Sequence, residues 1–324
     1  MRNFIHLCSL IDILLSSRSS DSSLSEIMEP DDAPFAFSAF ALEGLTISEM
    51  FETPSVTPLA PITTTTTTTT TLPPPISIDE LLQAQRFDEA IELVTPNLIQ
   101  RSMTHIFTEA ERNRIMDIFK AAIDHERATH RDITRAMSTS RSRALSGDNP
   151  DSRLAEYSDS VLRDIAGRSI YRYCMVLIQI FSNQLEGMRH DSYAVHRANL
   201  QAIMGDLYRY ISEVTHGDDK RSAQEFGLSL YADALHVYYY IGVPVDDPER
   251  LRVQTNRELL LYSVPSLRRD AIESLEVTIR ELEREFNRRR VGAVTREEWD
   301  FVSLLRARLQ MWKNQLQDDE WIVI

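Results

Sequence analysis

From Ser77 onward, apolar residues return at every third or fourth position and glycine becomes rare. That is the period of amphipathic helices, not of strands. The breaks between these runs carry helix start and stop chemistry. Ser77 precedes IDELLQAQ. Thr108 with Glu111, and Thr295 with Glu298, are capping-box pairs. Asp247 followed by Pro248 is an N-cap with proline in the first turn. SGDNPD at 146–151, HGDD at 216–219 and IGVP at 241–244 read as stops. Between these signals the chain predicts about nine helices, near 77–84, 86–100, 108–139, 153–184, 190–214, 219–242, 247–262, 266–290 and 295–317. Short connections make consecutive helices antiparallel. The expected fold class is all-α, an antiparallel helical array over 76–317 with a short C-terminal tail at 318–324. WIVI, at the end, is the one strand-like run.

Residues 1–75 have a different texture. They are rich in Ser, Thr and Pro and close on nine consecutive threonines, Thr63 to Thr71, and LPPP. Such a stretch has too little apolar surface to offset the entropy of ordering, so a disordered tail is expected. PFAFSAFALEGL within it reads as an apolar island in that tail. The opening MRNFIHLCSLIDILLSS is interrupted by His6 and Asp12 and has no small-x-small cleavage site, which argues against a secretory signal. No later run reaches the roughly 18 apolar residues of a membrane helix, so no membrane partner is expected.

Charge narrows the partners. The 324 residues carry a formal net charge of -14, shared equally between residues 1–75 and the rest, at -7 each. Phosphate backbones attract basic surfaces, so this charge balance predicts no nucleic-acid partner. The two cysteines are Cys8, in the tail, and Cys174. They predict no structural disulfide and a reducing, cytoplasmic setting.

Little in the chain points to catalysis. In HERATH, His125 and His130 are five apart, about 140° around a helix, whereas a shared metal needs a spacing of four. No glycine-rich phosphate loop, GxSxG or CxxC occurs. No enzyme, metal or cofactor is expected. The basic residues are more informative. Lys120, Arg127 and Arg131 follow one face of the third helix, and Arg209 precedes Tyr210 on the fifth. If the two helices pack side by side, a lysine, two arginines and a phenol converge, and guanidinium groups bind phosphate in a bidentate way. From spacing alone, ordinary helix-surface pairs with Asp124, Glu126 or Asp206 explain the same residues.

Four stretches, in order, resemble the 14-3-3 proteins over about residues 77–317. They are QRFDEA, AERNRIMDIFKAAIDHERATHRDI, MGDLYRYISEV and LLRARLQMWKNQ. The third is close to that family's K-G-D-Y-x-R-Y-L-x-E. The resemblance implies an adaptor that binds phosphoserine or phosphothreonine segments of partner proteins in an amphipathic groove. It implies that Lys120, Arg127, Arg209 and Tyr210 form a phosphate cradle. It implies a groove made by Asn256, Leu259, Leu304, Arg308 and Trp312. It further implies a homo- or heterodimer through Leu81, Ala84, Arg86, Ile133, Tyr157 and Asp164. The chain also departs from the family. Arg308 replaces an asparagine, Asp300 an apolar residue, Ser263 a glutamate, Glu126 an arginine and His130 a tryptophan, while Ser160 replaces the lysine that would face Glu89. These departures imply an altered preference around the phosphate, and they leave open a scaffold of the same fold without phosphate dependence. Two short segments are further candidates: the apolar DDEWIVI end for a PDZ-type groove, and Ser146 in STSRSRALSGDNP for a kinase.

Overall fold

The computed structural model describes residues 77–144, 150–289 and 294–322. The expected tail, Cys8 and Ser146 lie outside these residues. Among the described residues there are nine α-helices and no strand, as the periodicity predicts. They are α1 (Ile78–Gln83), α2 (Phe87–Thr104), α3 (Glu109–Ala144), α4 (Pro150–Gly187), α5 (Ala194–Val214), α6 (Gly217–Tyr240), α7 (Pro248–Tyr262), α8 (Arg268–Arg288) and α9 (Arg296–Ile322). Single 3-10 turns at Asp191–Tyr193 and Pro265–Leu267 lead into α5 and α8.

The start signals act as local chemistry requires. The first backbone N–H groups of a helix have no partner within it, so a side chain must supply one. Ser77 Oγ accepts from the Glu80 N–H at 3.2 Å, and Glu80 accepts from the Ser77 N–H at 2.8 Å. Thr108 and Glu111 repeat the exchange at 3.3 and 2.9 Å. The Thr108 N–H, with Arg101 next, holds the Glu111 carboxyl down to about 2. Thr295 and Glu298 do the same at 3.2 and 2.6 Å. Asp247 caps α7 through Glu249 and Arg250 at 3.0 and 3.1 Å. At the other end of α6, Gly242 takes φ +73°. The Val243 N–H then reaches back to the Tyr238 carbonyl at 2.9 Å, the six-to-one bond of a Schellman end, which favours glycine.

Several boundaries differ from expectation: α2 ends at Thr104 and α3 at Ala144, four and five residues past the predicted 100 and 139. HGDD is a shorter break than predicted, because only Thr215 and His216 separate α5 from α6. α9 continues five residues beyond 317, to Ile322, since no glycine or proline follows Trp312 to stop it.

Long-range bonds give the register. Tyr231 donates to Asp206 at 2.5 Å and Tyr238 to Asn199 at 2.6 Å, which sets α6 antiparallel to α5. Arg112 meets His196 and Arg127 meets Glu213, so α3 runs parallel to α5. Asp88 and Ser102 of α2 meet Tyr173 and Asn183 of α4 in the same sense. Helices two apart in sequence therefore run parallel and can carry one site between them. The largest core cluster joins α2 to α5 through residues such as Phe119, Ile170, Leu177, Phe181 and Leu207. A second joins α5, α6 and α7 through Ala202, Tyr231, Tyr238, Val253 and Leu260. Each large side chain so buried contributes about 1.5–3 kcal/mol relative to exposure. α8 buries a stripe at three- and four-residue spacing: Ala271, Ile272, Leu275, Ile279, Leu282 and Phe286.

One close approach shapes the site. A Cβ on Gly205 would fall 2.7 Å from the ring of Tyr231. Without it the buried Tyr231 lies flat against α5, and its hydroxyl reaches Asp206.

Candidate functional site

The packing of α3 beside α5 brings Arg127 and Arg209 together, as their sequence spacing allows. Both side chains are buried, at 9% and 10% exposure. They flank one ring. The Arg127 guanidinium lies 3.9 Å from the Tyr210 centroid and that of Arg209 4.6 Å, within cation–π range. Tyr210 itself is half-buried.

The arginines are not an uncompensated pair: Glu213 bridges them. Arg127 gives Glu213 a forked contact, Nε to Oε2 at 3.0 Å and Nη2 to Oε1 at 2.8 Å. Arg209 Nη1 donates to the same Oε1 at 3.0 Å. Glu213 lies one helical turn after Arg209, a spacing visible in the sequence. Its contact with Arg127, 86 residues away, is not. Burial lowers the pKa of Arg209, but Tyr210, Tyr231, Glu213 and Asp206 together more than reverse this. Arg127 behaves alike: burial lowers its pKa, and Glu213 above all raises it. Two donors remain: Arg209 Nε and Nη2 are buried without a hydrogen-bond partner. Lys120 stands at the exposed edge, paired with Asp124 on its own helix. Arg131 donates to the Arg127 carbonyl at 3.1 Å.

Asp206 ties a second knot. Its carboxylate accepts from Tyr231 of α6, from Asn256 of α7 at 2.7 Å, and from Arg252 of α7. Asn256 is only 5% exposed, so its amide is oriented by α5 before any ligand arrives. The sequence marked Asn256 but not Arg252, whose partner lies 46 positions away.

α7 and α9 form the remaining wall. Leu259 and Leu304 are half-buried. Trp312 is 3% exposed and stacks on Tyr262 at 4.2 Å, with rings 5° from parallel. Of the departing residues, Ser263 accepts from Gln224 at 3.0 Å. Asp300 is exposed and pairs with Arg296 at 3.8 Å rather than with Arg308. Glu126 makes no ion pair with a described residue, and burial raises its pKa. Burial lowers that of His130.

Glu258 is an unforeseen buried carboxylate, at 1% exposure. Gln254 and Thr278 each donate to its Oε1 at 2.8 Å, and Ser274 at 3.2 Å, while Oε2 has no partner. Burial pushes its pKa up. The unfolded chain therefore ionises first as pH rises above the ordinary carboxylate range. Stability attributable to Glu258 falls across that window, up to the folded pKa, and is unaffected below it. Glu258→Gln is expected to remove this fall. Urea unfolding from pH 4 to 8 should show the variant gaining on the parent as pH rises. A pH-independent difference would contradict the assignment.

These parts carry no arrangement of nucleophile and base. Their common property is a recessed cationic face beside an oriented amide and an apolar wall. The family model for 14-3-3 protein matches residues 78–313. This chain belongs to the 14-3-3 family. A 14-3-3 protein homolog of Neospora caninum is 25% identical over 244 residues, covering 74% of this chain and 87% of that one. A 14-3-3-like protein of Helianthus annuus is 23% identical over 238 residues, covering 73% and 87%. The 14-3-3 protein I of Plasmodium falciparum is 22% identical over 242 residues, covering 74% and 87%. Membership in this non-catalytic family supports a partner-binding adaptor role.

The residues that the 14-3-3 resemblance marks for dimerisation are unequally placed in the single chain. Tyr157 and Ala84 are exposed, and Ile133 is half-buried. Asp164 is 61% exposed, beside Arg163 at 3.5 Å. Arg86 pairs with Glu89 one turn away, Nε to Oε1 at 2.6 Å. Leu81 is 4% exposed and so presents almost no surface to a second chain. α4 adds Val161, Leu162 and Ile165, which the sequence reading did not mark, as exposed apolar residues next to Tyr157. No helix among the described residues is long and apolar enough to cross a membrane.

Proposed function

We propose that this chain is a phosphoserine- or phosphothreonine-dependent adaptor that holds phosphorylated segments of partner proteins between the α3–α5 face and the α7–α9 wall. The observation that carries this reading is the pair of buried donors on Arg209 left unpartnered beside Arg127 and Tyr210. A phosphoryl group brings about two negative charges and three strong acceptors. It would satisfy those donors, with Lys120 closing from the exposed edge. The neutral hydroxyl of an unphosphorylated segment offers neither charge nor acceptors enough. No catalysis, cofactor or nucleic acid enters this role, and its setting is the cytoplasm.

The test is fluorescence anisotropy with a labelled peptide of the R-S-x-pS-x-P type and its unphosphorylated twin. Binding of the phosphopeptide alone is expected. A second reading, a scaffold that binds unphosphorylated partners, draws on Glu213, which already neutralises part of the cradle. Equal binding of both peptides would favour it.

The proposed adaptor is a dimer through α1 and α4, homo- or heterotypic. Arg86 is already engaged by Glu89 of its own chain, and ion pairs so exposed add little to association. The apolar α4 strip therefore decides association. Sedimentation at micromolar concentration should give a dimer, and Ile165→Glu a monomer. A monomeric parent chain would end this part of the proposal.

A further inference from the structure

The four cations of α9 are not equivalent. Arg296 pairs with Asp300, Arg306 with Glu283 at 2.5 Å, and Lys313 with Glu276. Arg308 is half-buried and makes no hydrogen bond or ion pair with any described residue. A guanidinium has five donors and no acceptor, and withdrawing it from water without a partner is costly.

Arg308 lies one turn before Trp312, and the Trp312–Tyr262 stack locks α9 against α7. α7 and α9 each pack antiparallel to α8, so they run parallel to each other. Glu258, one turn before Tyr262, therefore comes opposite Arg308, and its charge partly offsets the lowering of the arginine pKa by burial. It does not act as a partner. Oε1 is held by Gln254, Ser274 and Thr278, Oε2 makes no bond, and burial favours the neutral acid. The donors of Arg308 are thus left without a partner among the described residues, on a wall flanked by Leu304 and Leu259.

We propose that Arg308 receives a carboxylate of the bound partner, so that this chain selects phosphorylated segments carrying an aspartate or glutamate near the phosphorylated residue. The inference rests on the phosphopeptide reading above. Backbone carbonyls accept one donor at a time, whereas a carboxylate fills two arginine donors in parallel. A lysine at this place would not give that geometry.

The experiment uses phosphopeptides identical except for one residue, Glu, Gln or Lys, moved through the positions on both sides of the phosphorylated serine. They are titrated against the full-length protein, Arg308→Gln and Arg308→Glu. The parent protein is expected to prefer Glu about tenfold at one or two adjacent positions. Arg308→Gln should lose the preference while still binding the phosphopeptides, and Arg308→Glu should favour Lys there. Phosphopeptide binding with no Glu–Gln difference anywhere would overturn this inference and leave the phosphate reading standing. A preference that survives in Arg308→Gln would overturn the assignment to Arg308. Absence of all phosphopeptide binding would overturn both.

Discussion

Glu213→Ala is expected to destabilise the helical domain by about 1–2 kcal/mol: the two arginines are buried and lose their shared acceptor, but Glu213 itself is 36% exposed, so solvent screens part of the loss. The reason lies in the charge count of the site. Glu213 is the shared acceptor of Arg127 and Arg209, whose side chains are nine-tenths buried and flank the same ring. Without it, two like charges face each other in a poorly solvated pocket. The same variant reports on the ligand. Inorganic phosphate should raise its melting temperature by more than it raises that of the parent, since phosphate would take the place of the missing carboxylate. Thermal unfolding with and without phosphate reads both effects. Unchanged stability would mean that the arginines are held by packing alone.

Arg209→Ala should raise the Kd for a phosphopeptide at least about 100-fold, or about 3 kcal/mol, in line with the loss of a charge-assisted, partly bidentate contact. The fold should survive better than in Glu213→Ala. Arg127 still holds Glu213 through its fork, and no unpaired cation is created. Arg209→Lys keeps the charge and loses the fork, so its affinity is expected to fall between the two. Anisotropy titrations with far-UV circular dichroism separate loss of binding from loss of structure. An unchanged Kd in a folded Arg209→Ala protein would place the phosphate elsewhere.

How much of this was legible before folding depends on how far apart the partners are. The capping boxes at Thr108–Glu111 and Thr295–Glu298 close within four residues, and both form; Ser77, read as a start, adds a third with Glu80. The α8 stripe follows directly from its period. Lys120, Arg127, Arg209 and Tyr210 were marked by helix-face spacing and by family likeness, and two arginines and the tyrosine do meet. The plainer alternative, pairing with near neighbours, was half right. Asp124 takes Lys120, but Asp206 turns to Arg252 and Glu126 takes no arginine.

The sequence by itself determined the helices, their capped starts, their antiparallel order and the identity of the cationic residues. Hydrophobic period and cap chemistry are local, and four ordered motifs are specific. Only the tertiary structure decided what each charge faces. It turned Glu213 from a neighbour of one arginine into the bridge of two, and it oriented Asn256 through Asp206. It buried Leu81 within its own chain, sealed Glu258 against α8 and left Arg308 without a partner among the described residues. Those outcomes depend on which helix faces meet across tens of residues of chain. In a recessed, poorly solvated setting, the presence or absence of one partner is worth more than any local preference.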